Sequence, residues 1–471
     1  MDDADRRTPL LGPRPALTVA QKAAYGVGHV LNDICAALWF SYTLLFMQLV
    51  LKIPATTSGA LLLVGQVVDA VATPLVGIMS DKWGSRKTWH LAGTVLVLVS
   101  FPLVFSECGV CWMAPTLTWV APLYYALLIT AFQTGWATVQ IAHLSLIPDL
   151  TPRQAERAEL TAIRYTASVC SSLALYVITW VVFHVTRGAM GDNKIGPGDV
   201  FKFRSIVFVG ITIGSVCSIW FRYGLSVPSH ADITVRHRHA ANGANGVSGR
   251  KGGGVSGLHY LRQSALYQVA LLYMASRLFL TLSLVYMPLY LDESLDQDAE
   301  TLASVPFASF VASFVASLAV KYSNSFLSSK VGYLLGAVIS LGGCILVGVG
   351  SGANETAQMY GVAVLLGAGS SITMVTSLCI TADLIGPNTD SGAFVYGAVT
   401  FADKLFNGIA VMIIEELKCE DVTQCPHYYQ DVLAYVCGGS ALLGLVVLLT
   451  VLPYSKHLLP FRGKRTKIIV G

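Results

Sequence analysis

The stretch GQVVDAVATPLVGIMSDKWGSRK, residues 65–87, begins as a segment apolar enough to cross a bilayer and ends in a knot of charge. Asp69 sits in the middle of the apolar part, where an ionised carboxylate costs about 3 kcal/mol. A residue kept at that cost usually faces an interior cavity and marks a pathway. The surrounding chain supports a membrane setting: of 471 residues only 12% are charged and mean hydropathy is +0.61. Water-soluble domains carry about a quarter charged residues, so this composition indicates an integral membrane protein.

Apolar windows of about 20 residues, the length that crosses the hydrocarbon layer as a helix, recur along the chain. They fall at 25–49, 58–80, 88–106, 118–147, 161–185, 203–223, 263–291, 302–323, 330–350, 357–384, 391–417 and 430–454. Twelve spans put both termini on one side. Lys and Arg flanking spans are retained on the cytosolic face. Of the 31 basic residues, 22 fall on the side of the termini and 6 on the other, so the expected orientation is N-in, C-in. Topology thus accounts for the basic excess of +4, and no nucleic-acid partner is implied.

The expected organisation is a cytosolic tail (1–24), a six-helix half (25–223), a linker (224–262), a second six-helix half (263–454) and a basic cytosolic tail (455–471). No apolar core precedes the first span, so no cleavable signal is visible and that span must serve as the insertion signal. DRRTPLL in the first tail resembles the acidic dileucine signals read by adaptors for lysosome-related organelles, with Leu10 and Leu11 as the pair. The linker carries HRHAANGANGVSGRKGGGVSG, a Gly-, Ser- and Asn-rich run without an apolar period, and reads as flexible. A 6+6 division about a long cytosolic loop is the plan of the major facilitator superfamily. The fold class expected is an all-α membrane protein of twelve transmembrane helices.

Four of the ten cysteines, Cys108, Cys111, Cys419 and Cys425, lie in outer loops. Facing a lumen or the exterior they can form disulfides, and three connectivities are open. No outer histidine cluster supports a metal site. NET at Asn354 to Thr356 is a glycosylation acceptor on the outer side, and DESLDQDAE at 292–300 reads as a solvated acidic loop.

The charged end of the opening stretch resembles the signature between spans 2 and 3 of major facilitator proteins. Gly77 would permit close helix approach, Asp81 would pair with a helix end or an arginine, and Lys82, Arg86 and Lys87 would stay at the cytosolic surface, with Gly84 in the turn. Ser85 replaces the usual first basic residue.

Asp69 belongs to a set of polar groups inside spans: His29 and Asp33 in span 1, Gln140 and His143 in span 4, Arg164 in span 5, Arg277 in span 7, Asp383 in span 10, and Asp403 with Lys404 in span 11. His29 and Asp33, like Asp69 and Thr73, are four apart and share a helix face. Asp403 and Lys404 are adjacent, about 100° apart on a helix, so they cannot both point into one cavity and one is expected to pair with another helix.

The strings KAAYGVGHVLNDICAALWFSYTLLF, VVDAVATPLVG, RKTWHLAGT, VQIAHLSLIP, ELTAIRY and YGAVTFADKLFNG resemble the glycoside–pentoside–hexuronide:cation symporter branch of the superfamily. That resemblance implies a substrate-binding role for Asp33, a cation-site role for Asp69, a sugar-proximal arginine at Arg164 and a cation-site lysine at Lys404. Two departures follow: Thr73 stands where the branch has a second cation aspartate, and Gln140 where it has the span-4 aspartate. Sodium coupling and a sugar site lose support, and a coupling proton at Asp69, or facilitated transport, gains it. The strings HLSLIPDL, TADLIG, SGAFVYGAV and NGIAVMIIEEL resemble more specifically the animal lysosomal and melanosomal cysteine importers of this branch.

The resemblance implies a secondary carrier that moves cysteine, or a related small zwitterion, from cytosol into lysosomes or melanosomes. Asp33 would hold the ammonium and Arg164 the carboxylate. Gln140, His29 and His143 would complete the substrate site, and Asp69, Thr73, Lys404 and Asp383 would serve coupling or gating. No cofactor or metal is expected. The alternatives are a cation-coupled sugar or lipid symporter and a non-transporting scaffold. No nucleophile–base pair or nucleotide loop suggests an enzyme.

Overall fold

The computed structural model describes residues 16–83, 85–113, 116–151, 153–186, 194–226, 264–323, 328–350, 355–385, 392–419 and 425–451. Twelve long helices account for nearly all of them, and no strand occurs among the described residues. In the first half these are α1 (Val19–Val50), α2 (Ala55–Lys82), α3 (Arg86–Val104), α4 (Val120–Leu144), α5 (Gln154–Val185) and α6 (Val200–Gly224). In the second they are α7 (Ser264–Leu289), α8 (Thr301–Ser323), α9 (Ser329–Gly348), α10 (Glu355–Ile385), α11 (Gly392–Glu416) and α12 (Tyr428–Thr450). Ten meet the length and hydropathy of a membrane span. The exceptions, α4 and α11, carry polar residues along their length, Gln133, Gln140 and His143 in one and Asp403, Lys404 and Asn407 in the other. Outward residues such as Leu75, Val99, Leu127, Val216 and Ile345 are exposed, which is the lipid-facing surface such a bundle requires.

Several helices begin earlier than the apolar windows. The first starts at Val19, where Thr18 and Gln21 form a reciprocal capping box: the Gln21 amide donates to Thr18 Oγ1 at 3.2 Å and the Thr18 amide to Gln21 Oε1 at 3.0 Å. Helix α5 starts at Gln154 instead of 161. Hydropathy marks the hydrocarbon slab, whereas a capped helix continues beyond it.

The two halves repeat one device. Helix α1 ends in a π-turn at Phe46–Val50, and α7 continues into one at Tyr290–Ser294. Each is followed by a left-handed residue, Lys52 or Asp296, both at φ 55°. The amides of Leu51 and Leu295 donate to Phe46 and Tyr290 carbonyls at 3.0 and 3.2 Å. This correspondence agrees with halves related as parallel repeats.

Helices α3 and α4 cross tightly because Gly93 and Gly135 face each other; a Cβ on Gly93 would lie 2.8 Å from the Gly135 carbonyl. Gly77, expected at a close crossing, has open space where a Cβ would stand. The close approaches between halves fall on α2 and α11 at Gly59 and Gly408. A Cβ there would lie 2.8 Å from Glu415 Cβ and 2.8 Å from Leu63 Cδ1, respectively.

Candidate functional site

Helix α1 is interrupted at Gly28–His29, between Val19–Val27 and Val30–Leu45. A helix broken inside a membrane bundle frees backbone groups that must find partners in protein or in a polar cavity. Two buried histidines reach carbonyls at the break: His90 Nε2 of α3 donates to Gly28 O at 2.8 Å, and His143 Nε2 of α4 donates at 2.8 Å to Tyr25 O, which also accepts from the Gly28 amide at 3.1 Å. The Tyr25 and His143 rings stack with centroids 4.3 Å apart.

His29, at the break, lies between an acid and a base. Its Nδ1 is 2.9 Å from Asp33 Oδ1, and Arg164 Nη2 is 3.2 Å from its Nε2. Asp33 is 8% exposed, yet its Oδ2 has no protein partner, and Arg164 Nε is likewise buried and unpartnered. Buried polar atoms are normally satisfied, so this cluster stands out for holding one open acceptor on a carboxylate and one open donor on a guanidinium. His143 instead gives Nε2 to α1, while Gln140 is half-buried and bonded to neither Asp33 nor Arg164.

A second cluster crosses between the halves. Lys404 Nζ of α11 is 2.7 Å from Asp69 Oδ2 of α2 and donates to Thr73 Oγ1 at 3.1 Å. The Thr73 hydroxyl lies within hydrogen-bonding distance of Asp69 O and Oδ1, at 2.7 and 3.2 Å. Asp403 turns the other way, accepting from Arg277 Nε at 3.1 Å and Asn407 Nδ2 at 2.6 Å. The adjacent pair is therefore divided between two partners, as the helical angle requires. Beside Asp69, Trp39, Phe40, Gln66, Gln133 and Trp136 line a narrow cavity.

A third network lies at the far face, the end of the bundle opposite Val19. Gln48, in the π-turn of α1, donates to Glu415 Oε2 of α11 at 2.5 Å, and Tyr429 OH of α12 donates to Gln48 Oε1 at 2.9 Å. Lys418 joins it, 2.8 Å from Glu293 Oε1 and 3.3 Å from Gln48 Oε1. Tyr42 OH reaches Leu302 O across the halves at 3.0 Å. The acidic segment 292–300 is thus no free solvated loop. Glu293 holds Lys418 of its own half, while Asp296 pairs with Lys194 and Glu300 lies 3.3 Å from His184 Nδ1, so the segment also docks onto the first half.

Two basic residues of the motif after α2 make specific contacts. Arg86 Nε pairs with Asp149 Oδ2 at 2.7 Å, and Lys87 Nζ donates to the carbonyls of Arg222 and Leu225, both at 2.6 Å. Lys87 thereby caps the end of α6, where a cation is favoured. Lys82 is exposed. Disulfides join Cys108 to Cys111 and Cys419 to Cys425. Leu10, Leu11, Gly84 and Asn354, and the side chains of Asp81 and Asp383, lie outside the described residues.

Sequence reasoning missed His90 and the Gln48–Glu415–Tyr429 network. His90 lies in RKTWHLAGT, where only its position opposite the break in α1 gives it a role. Gln48 and Glu415 are 367 residues apart and stand at span ends, where polar residues are ordinary.

The family model described as MFS/sugar transport protein matches residues 24–454. "Major facilitator superfamily domain-containing protein 12" of Mus musculus is 39% identical over 460 residues, covering 94% of this chain and 95% of its own length. The Homo sapiens protein of that name is 38% identical over 470 residues, covering 95% of each. Among solved structures, a D-xylose-proton symporter superposes with a TM-score of 0.67 at 13% identity, covering 92% of this chain and 96% of its own. That identity supports the fold alone, and the fold agrees with the helices and halves described above. The chain therefore belongs to the MFS/sugar transport protein family and is a multi-pass membrane transporter of the major facilitator superfamily, not an enzyme.

Proposed function

We propose that this transporter moves cysteine, or a closely related small zwitterionic amino acid, from cytosol into lysosomes or melanosomes by alternating access of its two halves. The observation that carries the reading is the Asp33–His29–Arg164 line, with unpartnered atoms on both charged ends. A zwitterion needs one anionic and one cationic partner, and charge-assisted contacts to an ammonium and a carboxylate are the strong ones. Asp33 holds the ammonium, and Arg164 holds the carboxylate.

Both termini are cytosolic, which makes the far face lumenal and the closed Gln48–Glu415 network a lumenal gate. Asp69 serves as the coupling site: Lys404 occupies its carboxylate, and protonation of Asp69 releases Lys404 and loosens the α2–α11 seam. The DRRTPLL tail supports an adaptor-read address in acidic organelles. The test is uptake of labelled, reduced cysteine into acidic organelles from cells with and without the protein, at two lumenal pH values. Protein-dependent uptake supports the reading; equal uptake, with the protein present in those membranes, removes cysteine as substrate.

A further inference from the structure

We infer that His90 and His143 are positioning residues that clamp the broken first helix and so hold the recognition cluster in register. The inference builds on the substrate reading above only in naming what the cluster recognises. Its geometry stands independently: the break at Gly28–His29 leaves the Gly28 carbonyl to His90, and His143 adds a second donor to the Tyr25 carbonyl, which also accepts from the Gly28 amide at 3.1 Å. Those carbonyls flank His29, the residue that spans Asp33 and Arg164.

A carbonyl only accepts, so each Nε2 must carry a proton. This fixes which nitrogen of each ring faces α1. The clamp is packed from several sides. His90 lies against Phe221 of α6 with centroids 4.4 Å apart, and His143 stacks on Tyr25. A Cβ on Gly28 would fall 2.4 Å from Phe221 Cδ2, and one on Gly26 would fall 2.5 Å from Ile163 Cγ2. Helices α3, α4, α5 and α6 therefore all bear on this one turn. The histidines sit behind the break and need not touch the substrate; they determine where His29 stands.

The experiment compares the wild type with His90→Phe, His143→Phe, His90→Gln and His143→Gln, each at matched abundance in the membrane. Phenylalanine keeps an aromatic ring of similar size and removes the donor, which leaves the Gly28 carbonyl unpaired in His90→Phe and the Tyr25 carbonyl with the Gly28 amide alone in His143→Phe. Glutamine keeps a donor at the reach of Nε2. Two readouts are taken: the concentration dependence of cysteine uptake, and hydrogen–deuterium exchange of the peptide spanning residues 24–33 in the purified full chain. The Phe variants should raise KM about tenfold with Vmax within about twofold, and speed exchange in that peptide; the Gln variants should restore both.

Wild-type KM and exchange in the Phe variants would overturn the inference. So would a fall in Vmax at constant KM, or Gln variants no better than Phe, because either shows a packing role. Absence of saturable uptake by the wild type would remove the substrate reading alone. Exchange would then decide the clamp, with unchanged rates in the Phe variants overturning it and faster rates reversed by Gln upholding it.

Discussion

The cluster around Asp33 and the seam between the two halves are both buried, charged and membrane-embedded, but they use their charges differently. The first lies wholly within one half and keeps spare valences on Asp33 and Arg164. The second joins the halves and is paired: Lys404 to Asp69, and Gln48 to Glu415 and Tyr429. Unsatisfied groups inside a rigid half suit recognition, since a ligand supplies what the protein withholds. Satisfied groups between two bodies suit gating, since separation breaks them together and water must replace each bond.

The largest effect should separate these roles directly. In correctly localised protein, Asp33→Asn and Arg164→Gln should each lower cysteine uptake by about a hundredfold, the worth of a charge-assisted contact. Near-normal uptake in either variant would remove the recognition role. Next comes the middle of the seam. Lys404→Met leaves Asp69 buried and unpaired, a change that costs about 3–5 kcal/mol when the site is fully desolvated and less at a partly exposed lysine. The Asp69→Asn, Lys404→Met double variant should recover the lost abundance or thermal stability; a double variant as impaired as the single would show that the two charges are not coupled.

At the far face, Glu415→Leu strands the Gln48 amide and should shift the population towards an opened far face by about 1–3 kcal/mol. Spin labels at positions 119 and 349, on exposed far-face ends of opposite halves, should then report a longer distance. An unchanged distance would deny the network its gating role. Glycines sharpen the same comparison. Gly93→Val forces α3 and α4 apart within one half and should destabilise the fold by about 1–3 kcal/mol. Gly408→Val acts between halves and should change the spin-label distance more than the melting temperature. The smallest effect belongs to His184→Ala, whose partly exposed contact with Glu300 should be worth less than about 1 kcal/mol, within about twofold in uptake.

Much of this was legible in the chain. Twelve apolar windows, the charge bias of their flanks and the Asp69, Asp33, Arg164 and Lys404 positions follow from local composition, because hydrocarbon imposes the same length and polarity rule on every span. The division of Asp403 from Lys404 followed from helical angle alone. The break in α1 was less visible, because Gly28 and His29 resemble any glycine and polar residue in a span. Gly77 misled because a motif glycine predicts permission for a close crossing, not the presence of a neighbour.

By itself, then, the sequence determined that this is a twelve-helix transporter and which charges it keeps inside the membrane, since burial costs are paid residue by residue. Only the tertiary structure decided who partners whom. Gln48 meets Glu415, His90 meets the Gly28 carbonyl and Arg164 meets His29. Such bonds join helices far apart in sequence, and a hydrogen bond exists only where packing brings a donor and an acceptor to within about 3 Å.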